Sequence, residues 1–209
     1  LIVDAMSTFG AIPIDAEALG LSAVIASANK CLEGVPGMGF AVIDSNDLAA
    51  AGGNATSLSL DLHDQWQNFE KTGQWRFTPP THVLAALAQA IQEHGEEGGI
   101  AGRGRRYADN CRILRDGMEE MGFVPLLSDD LQAPVIVTYH APSDENYDFG
   151  AFYDGLHAKG FAIYPGKITK IDSFRIGCIG RIDGDDIRRA LAAISETLAE
   201  QNIVKRGPK

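Results

Sequence analysis

Hydrophobic residues near the start of the chain occur in short continuous runs. Three such runs, at about residues 1–5, 22–27 and 38–43, are separated by polar and glycine-rich connections. Strands that are buried on both faces of a sheet have continuous apolar sequences, because neither face meets solvent. This pattern predicts an α/β fold in which the three runs are strands of a covered sheet.

Helical spacing dominates the middle of the chain. From Thr81 to about Glu97, apolar residues such as Val83, Leu87 and Ile91 recur at four-residue intervals and define one helix face. Thr81 is the predicted N-cap, because its hydroxyl can accept a hydrogen bond from a free backbone N–H of the first turn. Helices are predicted over residues 46–51, 59–70, 81–97 and 100–121.

The pattern changes again after Gly122, where short apolar runs alternate with helical segments. This alternation predicts a compact α+β module. The chain is therefore predicted to consist of a first lobe over residues 1–105, a second lobe over 106–204 that contains this module, and a disordered tail over 205–209. Strands of the module are predicted at about 123–127, 134–140, 161–164 and 173–177, and helices at 148–159 and 183–201.

Composition and charge narrow the classes of partner. The formal net charge is −10, so a groove that follows a nucleic-acid backbone is not expected. No apolar run approaches the roughly 20 residues of a membrane-spanning helix. Three cysteines and five histidines lack the spacing of metal ligands, and unpaired cysteines are typical of a reducing compartment. We therefore expect a cytoplasmic protein without a metal site.

One lysine lies between an apolar run and a glycine-rich turn. Residues 23–26 are apolar, Lys30 follows them, and Gly34-Val35-Pro36-Gly37 comes next. Such a sequence presents a single amine at the end of a strand, and glycines let the backbone approach a ligand closely. A Schiff-base lysine needs a site of this kind, because a fully hydrated amine stays protonated. The alternative interpretation is a surface lysine in a loop.

Asp4 ends the first apolar run and completes this signal. An aspartate at one strand end and a lysine at a later strand end are what pyridoxal phosphate (PLP) requires of a protein. The lysine holds the cofactor aldehyde, and the carboxylate keeps the pyridine nitrogen protonated so that the ring accepts electrons. Taken alone, Asp4 is equally consistent with a residue that caps the next turn.

Two further segments carry candidate binding residues. The rigid run around Pro79-Pro80 would hold the Thr78 hydroxyl in a defined place, although a packed crossover between helices is the alternative. Arg175 lies between Phe174 and Ile176 in an apolar strand, and its planar fork suits a carboxylate or a phosphonate. A structural ion pair is the other interpretation of Arg175.

These segments together resemble the 2-aminoethylphosphonate–pyruvate transaminases, a family of class V aminotransferases. The resemblance covers essentially the whole chain, and the segments around Lys30 and Arg76 are its most specific part. The motifs that carry it are Asp4-Ala5-Met6-Ser7, Ser27-Ala28-Asn29-Lys30-Cys31-Leu32-Glu33-Gly34-Val35-Pro36-Gly37, Arg76-Phe77-Thr78-Pro79-Pro80-Thr81-His82, Tyr164-Pro165-Gly166-Lys167 and Phe174-Arg175-Ile176-Gly177.

The resemblance implies a fold, a reaction and residue roles. The fold is that of fold type I PLP-dependent transferases, like aspartate aminotransferase, with part of a PLP-binding large domain followed by an α+β small domain. The implied reaction, a step of phosphonate degradation, converts 2-aminoethylphosphonate and pyruvate to phosphonoacetaldehyde and alanine. Lys30 is implied as the catalytic Schiff-base residue, Asp4 and Thr78 as cofactor ligands and Arg175 as the substrate ligand. The family is homodimeric, and Thr78 is implied to reach the cofactor phosphate of the neighbouring subunit.

The sequence departs from the family by lacking its N-terminal half. The family carries there a phosphate-binding loop and a side chain that stacks on the cofactor ring, so we expect this chain alone to be inactive. Two alternatives stay open. One is another class V enzyme, either a transaminase of the alanine–glyoxylate or serine–pyruvate type or a desulfurase-like lyase. The other is a non-catalytic fragment that acts as a dimerisation module.

Overall fold

The computed structural model of the chain describes residues 1–166 and 171–208. It divides into two compact units, Leu1–Ile100 and Ala101–Lys209. The division falls at the start of a long helix, α4, which spans Gly99–Glu120. The two lobes predicted from the sequence had their boundary a few residues further along this helix.

The first unit is built on a sheet of three short strands among the described residues, β1 (Ile2–Asp4), β2 (Ala23–Ser27) and β3 (Gly39–Ile43), in the order β1-β2-β3. Strand β1 runs parallel to β2, with Asp4 opposite Ile25. Strand β3 runs antiparallel to β2, with Gly39 opposite Ser27. Each strand matches one of the apolar runs in the sequence.

Three helices follow in this unit, α1 (Ser45–Ala50), α2 (Leu62–Thr72) and α3 (Thr81–Glu96), as the described residues show. The Asp44 and Asp61 carboxylates cap the first two by accepting backbone N–H bonds. The prediction that Thr81 caps α3 was wrong. Pro80 holds the cap position without a side-chain bond, and its carbonyl accepts the first helical bond, from the Leu84 N–H at 3.0 Å, so Thr81 is the first helical residue.

Among the described residues, buried side chains of the first unit form two small clusters. In one, Ala5 and Leu21 pack with Val24. In the other, Ala28, Leu32 and Leu87 come together under the end of β2. The partly buried ring of Phe9 packs against both clusters, so the same residues that close the core also support the loops that leave the sheet.

The second unit contains an antiparallel sheet in the order β4-β6-β5 and two helices after α4, in the described part of the chain. The segment predicted as a strand at 123–127 forms only one isolated bridge, Pro125 to Tyr139, flanked by bonds from the Leu126 N–H to the Thr138 carbonyl and from the His140 N–H to the Val124 carbonyl, while the Phe123 N–H donates to the Met118 carbonyl instead. The elements are β4 (Ile136–His140), α5 (Phe149–Ala158), β5 (Tyr164–Pro165), β6 (Ser173–Gly177) and α6 (Gly184–Glu200).

In the described part of the second unit, a hydrophobic cluster with four aromatic rings at its centre forms a continuous core. The Phe174 ring lies at its centre and contacts the rings of Phe123, Tyr139 and Phe152 at centroid distances of 5.6–5.8 Å. Helix α6 closes the cluster and begins with a reciprocal capping box between Asp183 and Asp186. The second unit therefore buries a larger continuous core than the first.

The residues for which the sequence predicts a tail make contacts up to Gly207. The Asp144 carboxylate accepts bonds from the backbone N–H groups of Val204 and Lys205 at 2.8 Å each. The Ser143 N–H donates to the Gly207 carbonyl at 2.9 Å. Among the described helices, none combines the length and the apolar character needed to cross a bilayer.

Candidate functional site

Asp4 and Lys30 leave the sheet of the first unit at the same edge. Strands β1 and β2 are parallel, so their carboxyl ends lie side by side. The last bond between the two strands joins the Ala5 N–H to the Ile25 carbonyl at 2.8 Å. Asp4 is the final residue of β1, and Lys30 comes three residues after the end of β2. This edge is where open α/β sheets bind their ligands.

The loop that carries Lys30 is closed by backbone hydrogen bonds. The Gly34 N–H donates to the Ala28 carbonyl at 2.8 Å, and the Glu33 N–H donates to the Lys30 carbonyl at 2.9 Å. Glu33 adopts a φ of 60°, which is unusual for a residue with a side chain. A Cβ at position 34 would lie 2.9 Å from the Ala28 oxygen, so only glycine fits the closing position.

Buried residues on both sides hold Lys30 outward. Ala28 and Cys31 are completely buried and Leu32 is nearly so, whereas Asn29 and Lys30 are exposed. Asp4 is exposed as well. The first unit therefore fixes the backbone at both positions and leaves both side chains accessible to a ligand.

Asp4 already makes one hydrogen bond at its turn. Its Oδ1 accepts from the Met6 N–H at 2.9 Å, which is the turn-capping role considered from the sequence. An ionised carboxylate has two oxygens and several acceptor positions. Asp4 can thus cap its turn and still accept a hydrogen bond from a protonated ring nitrogen.

Contacts that the sequence did not indicate fasten the two loops. The Cys31 thiol lies 3.0 Å from the Ser7 carbonyl, to which it donates. Leu32 packs so tightly on Gly10 that a Cβ there would lie 2.8 Å from Leu32 Cδ2. His94 of helix α3 places Nε2 2.6 Å from the Gly10 carbonyl. Neither Cys31 nor His94 has a neighbouring residue in the sequence that would indicate these contacts.

Arg76 anchors the segment that contains Thr78. Its guanidinium pairs with the Asp64 carboxylate at 3.0 Å and donates to the carbonyls of Leu58 at 2.9 Å and Asp61 at 3.0 Å. The Arg76 side chain is therefore nearly buried, whereas Thr78 is exposed. No contact among the described residues joins Thr78 to Asp4 or Lys30.

Arg175 lies in strand β6 of the second unit and is half-buried. Its Nε donates to the Pro165 carbonyl at 3.0 Å, and its guanidinium carbon lies 5.8 Å from the centre of the Tyr164 ring. No carboxylate of the described residues pairs with Arg175, which disfavours the structural ion pair considered from the sequence. Lys167, part of the same sequence motif, lies outside the described residues.

A desulfurase-like reaction would require an accessible cysteine in a loop as its nucleophile, whereas Cys178 is fully buried directly after strand β6. The hydrogen bond with the Cys111 thiol, together with burial, raises the pKa of Cys178 far above that of a free thiol. A protonated, inaccessible thiol is not a nucleophile. Within the described residues, no group of three or more histidine, cysteine or acidic side chains is arranged to hold a metal ion.

Comparison with known sequences gives close relatives over nearly the whole chain. The chain is 55% identical over 204 residues to the 2-aminoethylphosphonate–pyruvate transaminase of Pseudomonas putida (strain F1), a match that covers 98% of this chain and 55% of the relative. It is 56% identical over 203 residues to the protein of that name from Burkholderia ambifaria (strain MC40-6), covering 97% of this chain and 54% of the relative. The resemblance identified from the sequence motifs is thus confirmed. The chain spans about half the length of these curated relatives, and no protein-family model matches it.

Solved structures share the fold at low sequence identity. Pyridoxamine-pyruvate aminotransferase from Mesorhizobium loti superposes with a TM-score of 0.85 at 22% identity, over 96% of this chain and 52% of that one. Ureidoglycine-glyoxylate aminotransferase from Bacillus subtilis superposes with a TM-score of 0.80 at 24% identity, over 96% and 53%. The fold predicted from the sequence, part of a fold type I aminotransferase, is confirmed.

Proposed function

We propose that this chain is the lysine-bearing part of a PLP-dependent aminotransferase that converts 2-aminoethylphosphonate and pyruvate to phosphonoacetaldehyde and alanine. The observation that carries the proposal is the placement of Asp4 and Lys30 at one sheet edge, on two loops that contact each other. The 55% identity to transaminases of that name supports the choice of substrates.

The residues at this edge fit PLP. Lys30 offers an accessible amine for the cofactor aldehyde, and Asp4 retains acceptor capacity for a protonated ring nitrogen. When bound, PLP supplies an electron sink for the electrons released at the carbon next to the substrate nitrogen. Thr78 is proposed to hold the cofactor phosphate through its hydroxyl.

Lys30 has two successive tasks in this proposal. It would hold the cofactor aldehyde until a substrate amine takes its place. The freed Lys30 amine would then lie next to the substrate carbon that bears the nitrogen, where it could take the proton from that carbon as a general base and give it, as a general acid, to the cofactor carbon that had carried the lysine. Asp4 would orient the ring nitrogen and stabilise the positive charge on it.

Arg175 is proposed to bind the anionic end of the substrate. Its Nε is used by the Pro165 carbonyl, which fixes the plane of the guanidinium. The terminal nitrogens of such a fixed fork suit two oxygens of a phosphonate or a carboxylate. The two substrates of a ping-pong transfer present these groups in turn, and one arginine can serve both.

We propose that the enzyme is a homodimer, with Thr78 contributing to the neighbouring site. An apolar surface near Thr78 supports this proposal. Leu58 and Leu60 are about three-quarters exposed, and Arg76 ties the backbone at Leu58 and Asp61 to the segment that contains Thr78. Exposed apolar patches of this kind mark interaction surfaces.

The experiment is an absorbance titration with PLP on the chain alone and on the chain joined to the remaining part of the Pseudomonas putida relative. We expect a band near ~420 nm, typical of a protonated Schiff base of PLP, in the joined protein and its weakening or loss in the chain alone. Lys30→Ala should abolish the band. Lys71→Ala, which removes another exposed lysine of the first unit, should retain it. A band that survives in Lys30→Ala would overturn the proposal.

The choice of amino donor is tested on the same joined protein. With pyruvate as acceptor, kcat/KM for 2-aminoethylphosphonate should exceed that for serine by at least ~100-fold, because serine carries its anion one carbon closer to the amine, and a misplacement of about 1 Å in the site costs ~100-fold in rate. Comparable values would favour a transaminase of the serine–pyruvate type instead.

A further inference from the structure

We propose that Cys31 is a positioning residue that fixes Lys30 relative to Asp4, an inference that rests on the proposed function. The feature behind it is the hydrogen bond from the Cys31 thiol to the Ser7 carbonyl at 3.0 Å. Ser7 lies in the turn that follows Asp4, and Cys31 directly follows Lys30. The bond therefore joins the two loops immediately beside the two proposed cofactor ligands.

The sheet does not itself set the distance between these loops. Strand pairing ends at the bond between the Ala5 N–H and the Ile25 carbonyl. Beyond it, the chain runs through two turns before it reaches Lys30 on one side and Ser7 on the other. A contact between the turns is thus needed to make the two ligands a rigid pair.

Burial gives the Cys31 contact its strength. The Cys31 side chain has no exposed surface, so its S–H group cannot exchange the Ser7 carbonyl for water. Leu32, the next residue, packs on Gly10 of the opposing loop. The hydrogen bond of the thiol therefore fixes Cys31 against Ser7, and the packing of Leu32 on Gly10 fills the space between the two loops.

Chemistry at this edge depends on the pairing. Lys30 and Asp4 act on opposite ends of one aromatic ring, so a shift of one loop against the other misplaces the amine relative to the reacting carbon. Misplacement by about 1 Å can cost ~100-fold in rate without changing the identity of any reacting group. A loss confined to kcat is therefore the expected signature of a loosened Cys31 contact.

The test compares Cys31→Ala, which removes the donor, with Cys31→Ser, which keeps a donor of similar size. In the 209-residue chain, hydrogen exchange at the Glu33 and Gly34 amides should accelerate about ten-fold in Cys31→Ala, the scale of one lost hydrogen bond, and by less than about two-fold in Cys31→Ser. Cys111→Ala, at a buried cysteine of the second unit, should leave these amides unchanged.

Kinetics of the joined protein provide the second readout. Cys31→Ala should lower kcat about ten-fold with little change in KM and shift the pH at which the band near ~420 nm is lost, and Cys31→Ser should restore both. If Cys31→Ala does not fold, Cys31→Val fills the space of the sulfur without a donor and takes its place.

The two proposals fail differently. A wild-type protein without a Lys30-dependent band would overturn the proposed function, whereas the exchange rates would still test the contact between the loops. A wild-type band together with Cys31→Ala rates equal to wild type would overturn only the positioning role. Equal losses of kcat and of amide protection in Cys31→Ala and Cys31→Ser would also overturn the positioning role, since a change in packing rather than the lost hydrogen bond would then explain these losses.

Discussion

Gly10 is a single residue on which the arrangement of the site loops depends. Its φ is +95°, and a Cβ there would lie 2.8 Å from Leu32 Cδ2. Gly10→Ala is therefore expected to lower the free energy of unfolding by roughly 1–3 kcal/mol, through backbone strain and overpacking. Urea denaturation measures the change. Gly95→Ala is the matched control, since it lies in helix α3 with open space around it and should leave stability equal or slightly higher. Equal effects at the two glycines would contradict the argument.

Arg175 offers a residue-scale test of substrate binding. Arg175→Lys keeps the positive charge but loses both the bond from Nε to the Pro165 carbonyl and the planar fork. In the joined protein we expect KM for 2-aminoethylphosphonate to rise about ten-fold, on the scale of a charged hydrogen bond. Arg188→Lys, at an exposed arginine of helix α6, is the control. An unchanged KM in Arg175→Lys would remove this residue from the substrate site.

The strand-end positions of Asp4 and Lys30 were easier to predict from the sequence than the contacts that support them. Asp4 and Lys30 each follow an apolar run, so a strand end could be read locally. Cys31 meets Ser7 from 24 residues away, and His94 meets Gly10 from 84 residues away. Neither partner has a local signal, because the parallel pairing of β1 with β2 and the packing of α3 bring them together.

At the scale of the elements, the start of helix α6 predicts a pH dependence. The backbone N–H groups of Asp186 and Asp185 donate to the Asp183 carboxylate and hold its pKa below the ordinary value. A lowered pKa stabilises the fold above the unfolded-state value of about 3.9, and this stabilisation is lost as the pH falls through the folded-state pKa. Between about pH 5 and pH 3, the melting temperature of Asp183→Asn should therefore fall less than that of the wild type, as thermal melts at these two pH values would measure. Asp154→Asn, at an exposed aspartate of helix α5, should follow wild type; a curve for Asp183→Asn that also follows wild type would refute the assignment.

Element boundaries were predictable where one residue type decides them. Gly73 ends helix α2 in the left-handed conformation, as its position after an amphipathic run suggests. The start of α3 was not predicted correctly, because the Pro80 carbonyl accepts the first helical bond, from the Leu84 N–H, and this makes Pro80 rather than Thr81 the cap. The predicted strand at 123–127 had the right composition, but the Phe123 N–H donates to the Met118 carbonyl, so pairing is limited to the two bonds that flank Pro125. Hydrogen-bond partners, not propensity, settled both cases.

At the scale of the whole molecule, the two units differ in how much core they contain. The second unit buries a continuous aromatic cluster around Phe174, and the first buries two small clusters around Val24 and Ala28. Because local stability follows buried apolar contact, amides of β4 and β6 should exchange more slowly than those of β1 and β2 in the isolated chain. Hydrogen exchange with peptide resolution measures this order. The reverse order would mean that the small clusters carry more stability than their burial indicates.

The exposed apolar surface of the first unit leads to a prediction about assembly. Leu58 and Leu60 are exposed by 74% and 76%, so replacing them costs the folded chain little, whereas a partner that covers them would lose apolar burial. If they lie in the proposed dimer contact, Leu58→Asp with Leu60→Asp should weaken self-association of the joined protein at least ~100-fold, since two buried leucines are replaced by charges. Sedimentation over a range of concentrations measures the change. Leu131→Asp, at an exposed leucine of the second unit, should leave the association constant unchanged.

The same variant tests the role of Thr78. Because Thr78 is proposed to serve the neighbouring site, the dissociated variant should bind PLP more weakly than the dimer. A monomer with full PLP affinity would contradict the proposal that Thr78 binds the cofactor of the neighbouring subunit.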